Sequence, residues 1–446
     1  MDFSKAFDTI PRKNLFQKLL DYNINGKFYD FLTILYCDDL VCVKVGQKLT
    51  DSFEANRGVK QGCILSPLLF NIFLSDLQET IETPANEPAL LSYNQPAGCL
   101  IWADDLLLIS LSEAGLNRML FTLNHYAMTN GLEINIDKTK AMIFNTTGRH
   151  IRKTFNLGET KIETTKEYKY LGFKLTPYGG INPGLKDLKD RAMKAFYKMK
   201  HEMGSTFRNH PLITLKLFQA LIQPILLYAS DFWGILKQQR NNPIENIHVK
   251  FCKELLGVQR QTTNTGVFLE LGQTPILFIA IKNAIKNWIR VCNDRKCNDL
   301  LKSSFRNETN ENLTWYSQIK DTLARNGMLN LFLEKHEKAH DLLFQRLNDN
   351  FHQHEFHDMN RETSKLRTYK ILKTEIGYES YLSNIENVKH RIALTKFRLS
   401  NHNLKKETRR HQRIEKNKRF CPFCPNYVED EEHSLLSCKT FLTLRK

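Results

Sequence analysis

Two adjacent aspartates, Asp104 and Asp105, stand between apolar runs in Ile101-Trp102-Ala103-Asp104-Asp105-Leu106-Leu107-Leu108-Ile109. The pattern predicts a tight hairpin with both acids at its tip. Neighbouring carboxylates repel one another when ionised, and burying them is costly unless a cation offsets the charge. Mg²⁺ is the natural candidate: it favours oxygen ligands, takes few protein carboxylates and completes its shell from water and substrate phosphates, which points to phosphoryl or nucleotidyl transfer. A polar turn is the competing reading, since Asp is common in turns. A second group lies near the end of the chain, where Cys421, Cys424, His433 and Cys438 supply three thiolates and an imidazole, enough for one tetrahedral structural Zn²⁺. So short a segment has little apolar surface, and bound metal would provide most of its order.

The Asp104-Asp105 pair belongs to an ordered series. Asp2-Phe3-Ser4-Lys5-Ala6-Phe7-Asp8 comes first, then Gly58-Val59-Lys60-Gln61-Gly62-Cys63-Ile64-Leu65-Ser66-Pro67-Leu68-Leu69-Phe70, then the Asp pair. Gly131-Leu132-Glu133-Ile134-Asn135-Ile136-Asp137-Lys138-Thr139 and Tyr170-Leu171-Gly172 follow. Each block alone is weak; five in one order are specific. Over about residues 1–275 the sequence resembles the reverse transcriptases of non-LTR (LINE-like) retrotransposons, and the terminal Cys-Cys-His-Cys knuckle extends the resemblance.

That resemblance implies an RNA-directed DNA polymerase. Asp2 and Asp104 would bridge two Mg²⁺ ions with Asp105 completing the site, for in-line attack of a primer 3′-hydroxyl on the α-phosphate of a deoxynucleoside triphosphate. Phe3, Phe7, Gln61 and Gly62 would line the nucleotide pocket, Phe7 being the bulky side chain that collides with a 2′-hydroxyl. Asp8 would be a scaffold carboxylate and not a metal ligand. Lys138 would steer the triphosphate or give a proton to pyrophosphate, although a surface lysine at a strand end reads the same way. Tyr170, Leu171 and Gly172 would support the primer end. Trp102 replaces the Phe or Tyr usual before Ala-Asp-Asp, and its bulk bears on primer positioning. Tyr36-Cys37-Asp38-Asp39 imitates a catalytic Asp-Asp box but falls out of order, and it is assigned to a loop.

The elements that must position these groups read as α+β. Residues 11–36 look helical through Leu15, Leu19 and Leu20, while Val41, Val43 and Val45 alternate as a strand. A helix should start at Ser66-Pro67, with the Ser hydroxyl accepting a free N–H, and run to about Ile81. Another should carry Leu116, Met119, Leu120, Leu123, Tyr126 and Ala127 and end in a left-handed cap at Gly131, with strands at 132–136 and 141–144. A helix beginning at Asn182-Pro183 buries Leu185, Leu188, Ala192, Ala195, Phe196 and Met199. The expected architecture is a polymerase palm with a split βαβ-like sheet at 1–176, a helical thumb at 177–300, a helical basic connecting region at 301–420 and the zinc knuckle at 421–438. Residues 300–400 carry no motif. Lys405, Lys406, Arg409, Arg410, Arg413, Lys416, Lys418 and Arg419 should grip phosphates, with a solvated helix or a nuclear-import signal as the competing reading.

The 446 residues suffice for two or three domains, and 41% hydrophobic content is ordinary for a globular protein. A formal net charge of +16 favours a polyanionic partner, here an RNA template and a DNA primer. No apolar run is long enough to span a bilayer, so no membrane partner is expected and the chain reads as soluble and intracellular, acting in the nucleus at the site of integration or in a cytoplasmic ribonucleoprotein. The ten cysteines show no secreted-type framework. Asp2 follows only Met1, so the first strand should be weakly paired, the fingers should be missing, and polymerase activity should be impaired. The alternative is a non-catalytic nucleic-acid-binding remnant of a retroelement.

Overall fold

The computed structural model describes residues 1–37, 39–91, 94–236, 242–293, 299–305, 315–360, 366, 369–373, 375–409, 412 and 414–443, without the side chains of 305, 355–356, 358–360 and 416. The chain divides into two compact units, Met1–Pro183 with Cys297–Asn310, and Gly184–Lys296 with Glu311–Lys446.

In the first unit the Cys99–Trp102 and Asp105–Leu108 strands pair antiparallel, with Trp102 opposite Asp105 and Cys99 opposite Leu108. The N-terminal segment continues this ladder on both sides. Asp2 bridges Asp105 and Phe3 bridges Ile134; Leu106 N–H donates to Met1 O at 3.0 Å, Asn135 N–H to Asp2 O at 2.8 Å and Ser4 N–H to Glu133 O at 2.7 Å. The weak pairing expected of this segment is therefore not found, because it lies between two neighbours instead of at an edge. Beneath it, Phe3, Leu15, Leu19, Phe70, Phe73 and Leu106 belong to one buried cluster.

Several expected elements break or shrink. The helix over 11–36 becomes Arg12–Asp21 and Gly26–Tyr36, separated where Asn23 and Gly26 take left-handed φ of 57° and 65°. The helix from Ser66 stops at Phe73 and resumes at Leu77–Ile81. The break is stabilised by Lys18, whose Nζ donates to Phe73 O at 2.6 Å, Asp76 Oδ1 at 2.5 Å and Tyr126 Oη at 3.0 Å. Ser66 does not cap its helix; its hydroxyl donates to Lys60 O at 2.5 Å. The strands expected at 132–136 and 141–144 shrink to single bridges at Ile134 and Ala141. Asn135 is the cause: its Oδ1 accepts from Lys138 N–H at 3.2 Å and its carbonyl from Thr139 N–H at 3.1 Å, turning the chain back. The predicted strand alternation at 41–45 appears only as short ribbons, Leu40–Val41 paired with Phe53–Glu54 and Lys44–Val45 with Lys48–Leu49.

The helix Glu113–Asn130 forms as predicted, capped by the Ser112 hydroxyl at one end and left-handed Gly131 at the other. It packs on the Thr154–Leu157 and Thr160–Glu163 hairpin through Leu120, Phe155, Leu157 and Ile162. A last hairpin, Tyr168–Tyr170 with Phe173–Leu175, turns through Leu171 at φ 43° and Gly172 at φ 78°, the paired left-handed residues of a tight two-residue turn.

The second unit is helical. Asn182–Met203 buries Leu185, Leu188, Ala192, Phe196 and Met199, with Ala195 half-buried beside them. Phe218 stacks on Phe251 with ring centroids 4.0 Å apart. Glu270, fully buried, accepts from Arg398 Nε at 2.7 Å, from Arg398 Nη2 at 3.3 Å and from the Tyr381 hydroxyl. Among the described residues no helix is long and apolar enough to cross a membrane.

Candidate active site

The turn of the central hairpin is made by Ala103, at φ 52°, and Asp104. A left-handed alanine is uncommon and is tolerated where surrounding structure fixes it. It presents Asp104 beyond the strand ends while Asp105, first residue of its strand, sits beside Asp2. Asp2 is 8% exposed. Its Oδ2 accepts from Lys138 Nζ at 2.5 Å, and its Oδ1 is buried with no hydrogen-bond partner. Buried carboxylate oxygens are normally satisfied, so an orphan among acids marks a place for a cation. Desolvation raises the Asp104 pKa, and the charges of Asp2 and Asp105 raise it further. Asp105 thus sits beside Asp2 on the ladder, and Asp104 feels the charge of both; oxygen donors of this kind suit a hard divalent ion.

Lys138 reaches Asp2 because the Asn135 turn folds it back. The Asp2 hydrogen bond and charge raise its pKa, keeping it a cation at neutral pH. Behind it, Tyr168 Oη donates to Lys138 O at 3.3 Å. Burial and then the negative charge of Asp105 raise the pKa of Tyr168 and Tyr170 alike. The two tyrosines are two residues apart on one strand and so share a face. Tyr168 was not singled out in the sequence, although that alternation from Tyr170 pointed to it.

A short helix, Ala6–Thr9, connects this cluster to a second group. Phe7 packs its ring 5.1 Å from Phe70. Phe3 is 3% exposed, so the expected contact of its side chain with a nucleotide is not available; the residue is core. Gln61 is exposed, and its Nε2 donates to Asp8 Oδ1 at 2.9 Å and Oδ2 at 3.0 Å. Gly62 is exposed at φ 82°. Gly58 is the residue that sequence reasoning passed over: a Cβ there would lie 2.7 Å from Asp8 Cα, Asp8 O and Phe7 O. The close approach is held by Val59 N–H to Phe7 O at 2.7 Å and Gly58 N–H to Ile10 O at 2.8 Å. Leu171 and Gly172 occupy the turn of the last hairpin.

Of the false Asp-Asp box, Asp39 is structural, paired with Arg12 at 3.0 Å and Lys60 at 3.1 Å; Asp38 lies outside the described residues.

At the other end of the chain, the ligand atoms of Cys421, Cys424, His433 and Cys438 all lie within 4.8 Å of one another, and all four residues are buried. Cys421 Sγ and Cys438 Sγ are 3.9 Å apart, close to the separation of about 3.8 Å that tetrahedral geometry gives two sulfurs on Zn–S bonds of about 2.3 Å. Both ring nitrogens of His433 are buried without a partner, and Tyr427 stacks on that ring at 5.4 Å. The donor set fits zinc. The preceding basic segment differs from expectation. Lys406 pairs with Asp430 at 3.3 Å, Lys418 pairs with Glu415 at 2.9 Å, and buried Arg419 donates to Ile414 O at 2.9 and 2.7 Å. Lys406 and Arg419 thus hold the knuckle instead of facing a phosphate. Arg410 and Arg413, and the side chain of Lys416, lie outside the described residues.

Residues 1–175 match the family described as reverse transcriptase (RNA-dependent DNA polymerase). Among curated proteins, the chain is 28% identical over 203 residues to the Pol polyprotein from a type-1 retrotransposable element R2 of Popillia japonica, covering 42% of this chain and 32% of that protein. It is 29% identical over 191 residues to the Pol polyprotein from type-2 retrotransposable element R2DM of Drosophila melanogaster, covering 41% and 18%. To the probable RNA-directed DNA polymerase from transposon BS of the same fly it is 25% identical over 256 residues, covering 55% and 27%. The matched stretches thus span about a third or less of each relative's length.

Proposed function

Since the chain carries a reverse transcriptase domain of the kind found in non-LTR retrotransposon polyproteins, we propose that it extends a DNA primer on an RNA template with deoxynucleoside triphosphates. What supports this reading is Asp2 Oδ1, buried and unsatisfied, with Asp105 beside Asp2 on the ladder and Asp104 near enough to feel both charges. Asp2, Asp104 and Asp105 would hold Mg²⁺, which when bound supplies Lewis-acid charge at the attacking and leaving oxygens. Lys138, exposed along most of its side chain and a partner of Asp2 by contact, would turn to the triphosphate on substrate binding and give its proton to pyrophosphate. Phe7, braced on Phe70, rejects a 2′-hydroxyl by bulk. Gln61 and Gly62 line the nucleotide pocket, where glycine lets backbone approach the substrate. Tyr170, Leu171 and Gly172 support the primer end.

In this reading residues 1–176 are the palm, 177–300 a helical thumb and 301–420 a connecting region. Cys421, Cys424, His433 and Cys438 hold one structural Zn²⁺, which ties the last segment together.

Primer extension on an RNA template with Mg²⁺ tests the reading. Incorporation that depends on Mg²⁺ and disappears in Asp104→Ala is the expected result. Salt-sensitive nucleic-acid binding with no incorporation, unchanged by Asp104→Ala, would make the chain a binder and not a polymerase.

A further inference from the structure

We infer that Asp8 is a positioning residue for substrate selection, fixing the side-chain amide of Gln61 so that its carbonyl oxygen, and not its amino group, meets the incoming nucleotide. The inference rests on the reading of Gln61 as a nucleotide-pocket residue and adds which end of it is used, and why.

An ionised carboxylate offers acceptors only, and a glutamine amide has a donating and an accepting end. Asp8 takes the donating end through both oxygens, at 2.9 and 3.0 Å. The opposite orientation would set Gln61 Oε1 against the carboxylate, two acceptors with no hydrogen between them. Oε1 is then the atom available for a substrate, and it accepts only from a donor: a sugar hydroxyl or an exocyclic amino N–H of the nucleotide.

The two partners are 53 positions apart in sequence, and the contact is built by backbone. Gly58 closes on Asp8 and Phe7 where no Cβ fits. Arg12 Nε donates to Gly58 O at 2.9 Å, and Arg12 Nη1 to Tyr36 O at 2.8 Å. The loop carrying Gln61 is thereby clamped to the short helix carrying Asp8, and the amide is oriented before substrate arrives, which lowers the ordering cost of binding.

The test uses the full chain on an RNA template with a dideoxy-terminated DNA primer, so that Mg²⁺-dependent binding of the next deoxynucleoside triphosphate is read without turnover. Asp8→Ala frees the amide to flip and to leave its rotamer, so the competent population falls and nucleotide binding is expected to weaken by about tenfold. Asp8→Asn leaves both amide orientations open, so it halves the competent population and costs about twofold. Gln61→Ala should match Asp8→Ala, and the double variant should be no worse than Gln61→Ala alone. A 2′,3′-dideoxy nucleotide separates the donors: if the 3′-hydroxyl is the partner, the Asp8→Ala loss vanishes with it, and if an amino group is, the loss persists.

Independent, multiplying losses from Asp8→Ala and Gln61→Ala, or unchanged binding in Asp8→Ala, would overturn the inference and leave the polymerase reading intact. Failure of the unsubstituted chain to bind nucleotide in the primed complex would overturn both.

Discussion

Gly58→Ala should loosen the first unit far more than Gly62→Ala, although both glycines have nearly the same left-handed φ, 79° and 82°. A left-handed alanine costs about 1–2 kcal/mol relative to glycine, and the stiffer unfolded chain returns about 0.4–1 kcal/mol. At Gly62 a Cβ meets nothing within 4 Å, so a net loss of about 1 kcal/mol is all that remains. At Gly58 the Cβ would lie 2.7 Å from three backbone atoms of Phe7 and Asp8. No rotamer change relieves that overlap, and separating the loops strains the Val59 to Phe7 hydrogen bond, adding about 2 kcal/mol. The total is about 3 kcal/mol. Hydrogen exchange read on peptides spanning the Arg12–Asp21 and Ser66–Phe73 helices converts these losses into rates. At about tenfold per 1.4 kcal/mol, exchange should quicken on the order of 100-fold for Gly58→Ala and about fivefold for Gly62→Ala. Equal acceleration in the two variants would show that the tight junction between the Asp2–Asp8 and Gly58–Gln61 segments does not hold this unit together.

Glu270→Ala should cost about 3–5 kcal/mol in urea unfolding of the full chain, because it leaves buried Arg398 with Glu379 alone, at 2.7 Å; a loss below about 1 kcal/mol would show that Arg398 finds other partners. With metal removed, stability of the first unit should fall as pH rises from the ordinary aspartate value of about 3.9 through the raised folded value of Asp104. The folded state holds that proton longer than the unfolded one; saturating Mg²⁺, or Asp104→Asn, should flatten the slope, and an unaltered slope in both would contradict the cluster. Elemental analysis should find one zinc per chain, lost in Cys424→Ala, with faster exchange over residues 419–438 after chelation. Full occupancy in Cys424→Ala would refute the four-ligand set.

The chemistry of this chain was more legible than its elements. Paired acids between apolar runs announce a hairpin, which forms, but its turn is Ala103-Asp104 and Asp105 opens the strand opposite Trp102 instead of sharing the tip. The helix from Glu113 was readable because period, Ser112 cap and Gly131 stop agree. The breaks at 22–25 and 74–76 were not, since neither carries proline; the second depends on Lys18, 55 residues from Phe73, whose carbonyl it takes. Pairing of the Met1–Asp2 segment on both sides escaped notice for the same reason: its partners, Leu106 for Met1 and Asn135 for Asp2, are set by tertiary packing. Asp8 could be read as scaffold from its block, whereas its partner Gln61 could not, because nothing local specifies which distant donor a carboxylate will meet. In the basic run before the knuckle, charge count suggested phosphates; the acids of the knuckle took Lys406 first.

Divalent metal shared by Asp2, Asp104 and Asp105 can be mapped directly. Iron(II) placed in the Mg²⁺ site and supplied with ascorbate and peroxide cuts backbone near where it is bound. Cuts should cluster at 1–4, 102–106, 134–138 and 168–170, be suppressed by excess Mg²⁺ and disappear in Asp104→Ala. Cuts elsewhere, or the same pattern persisting in that variant, would contradict shared metal.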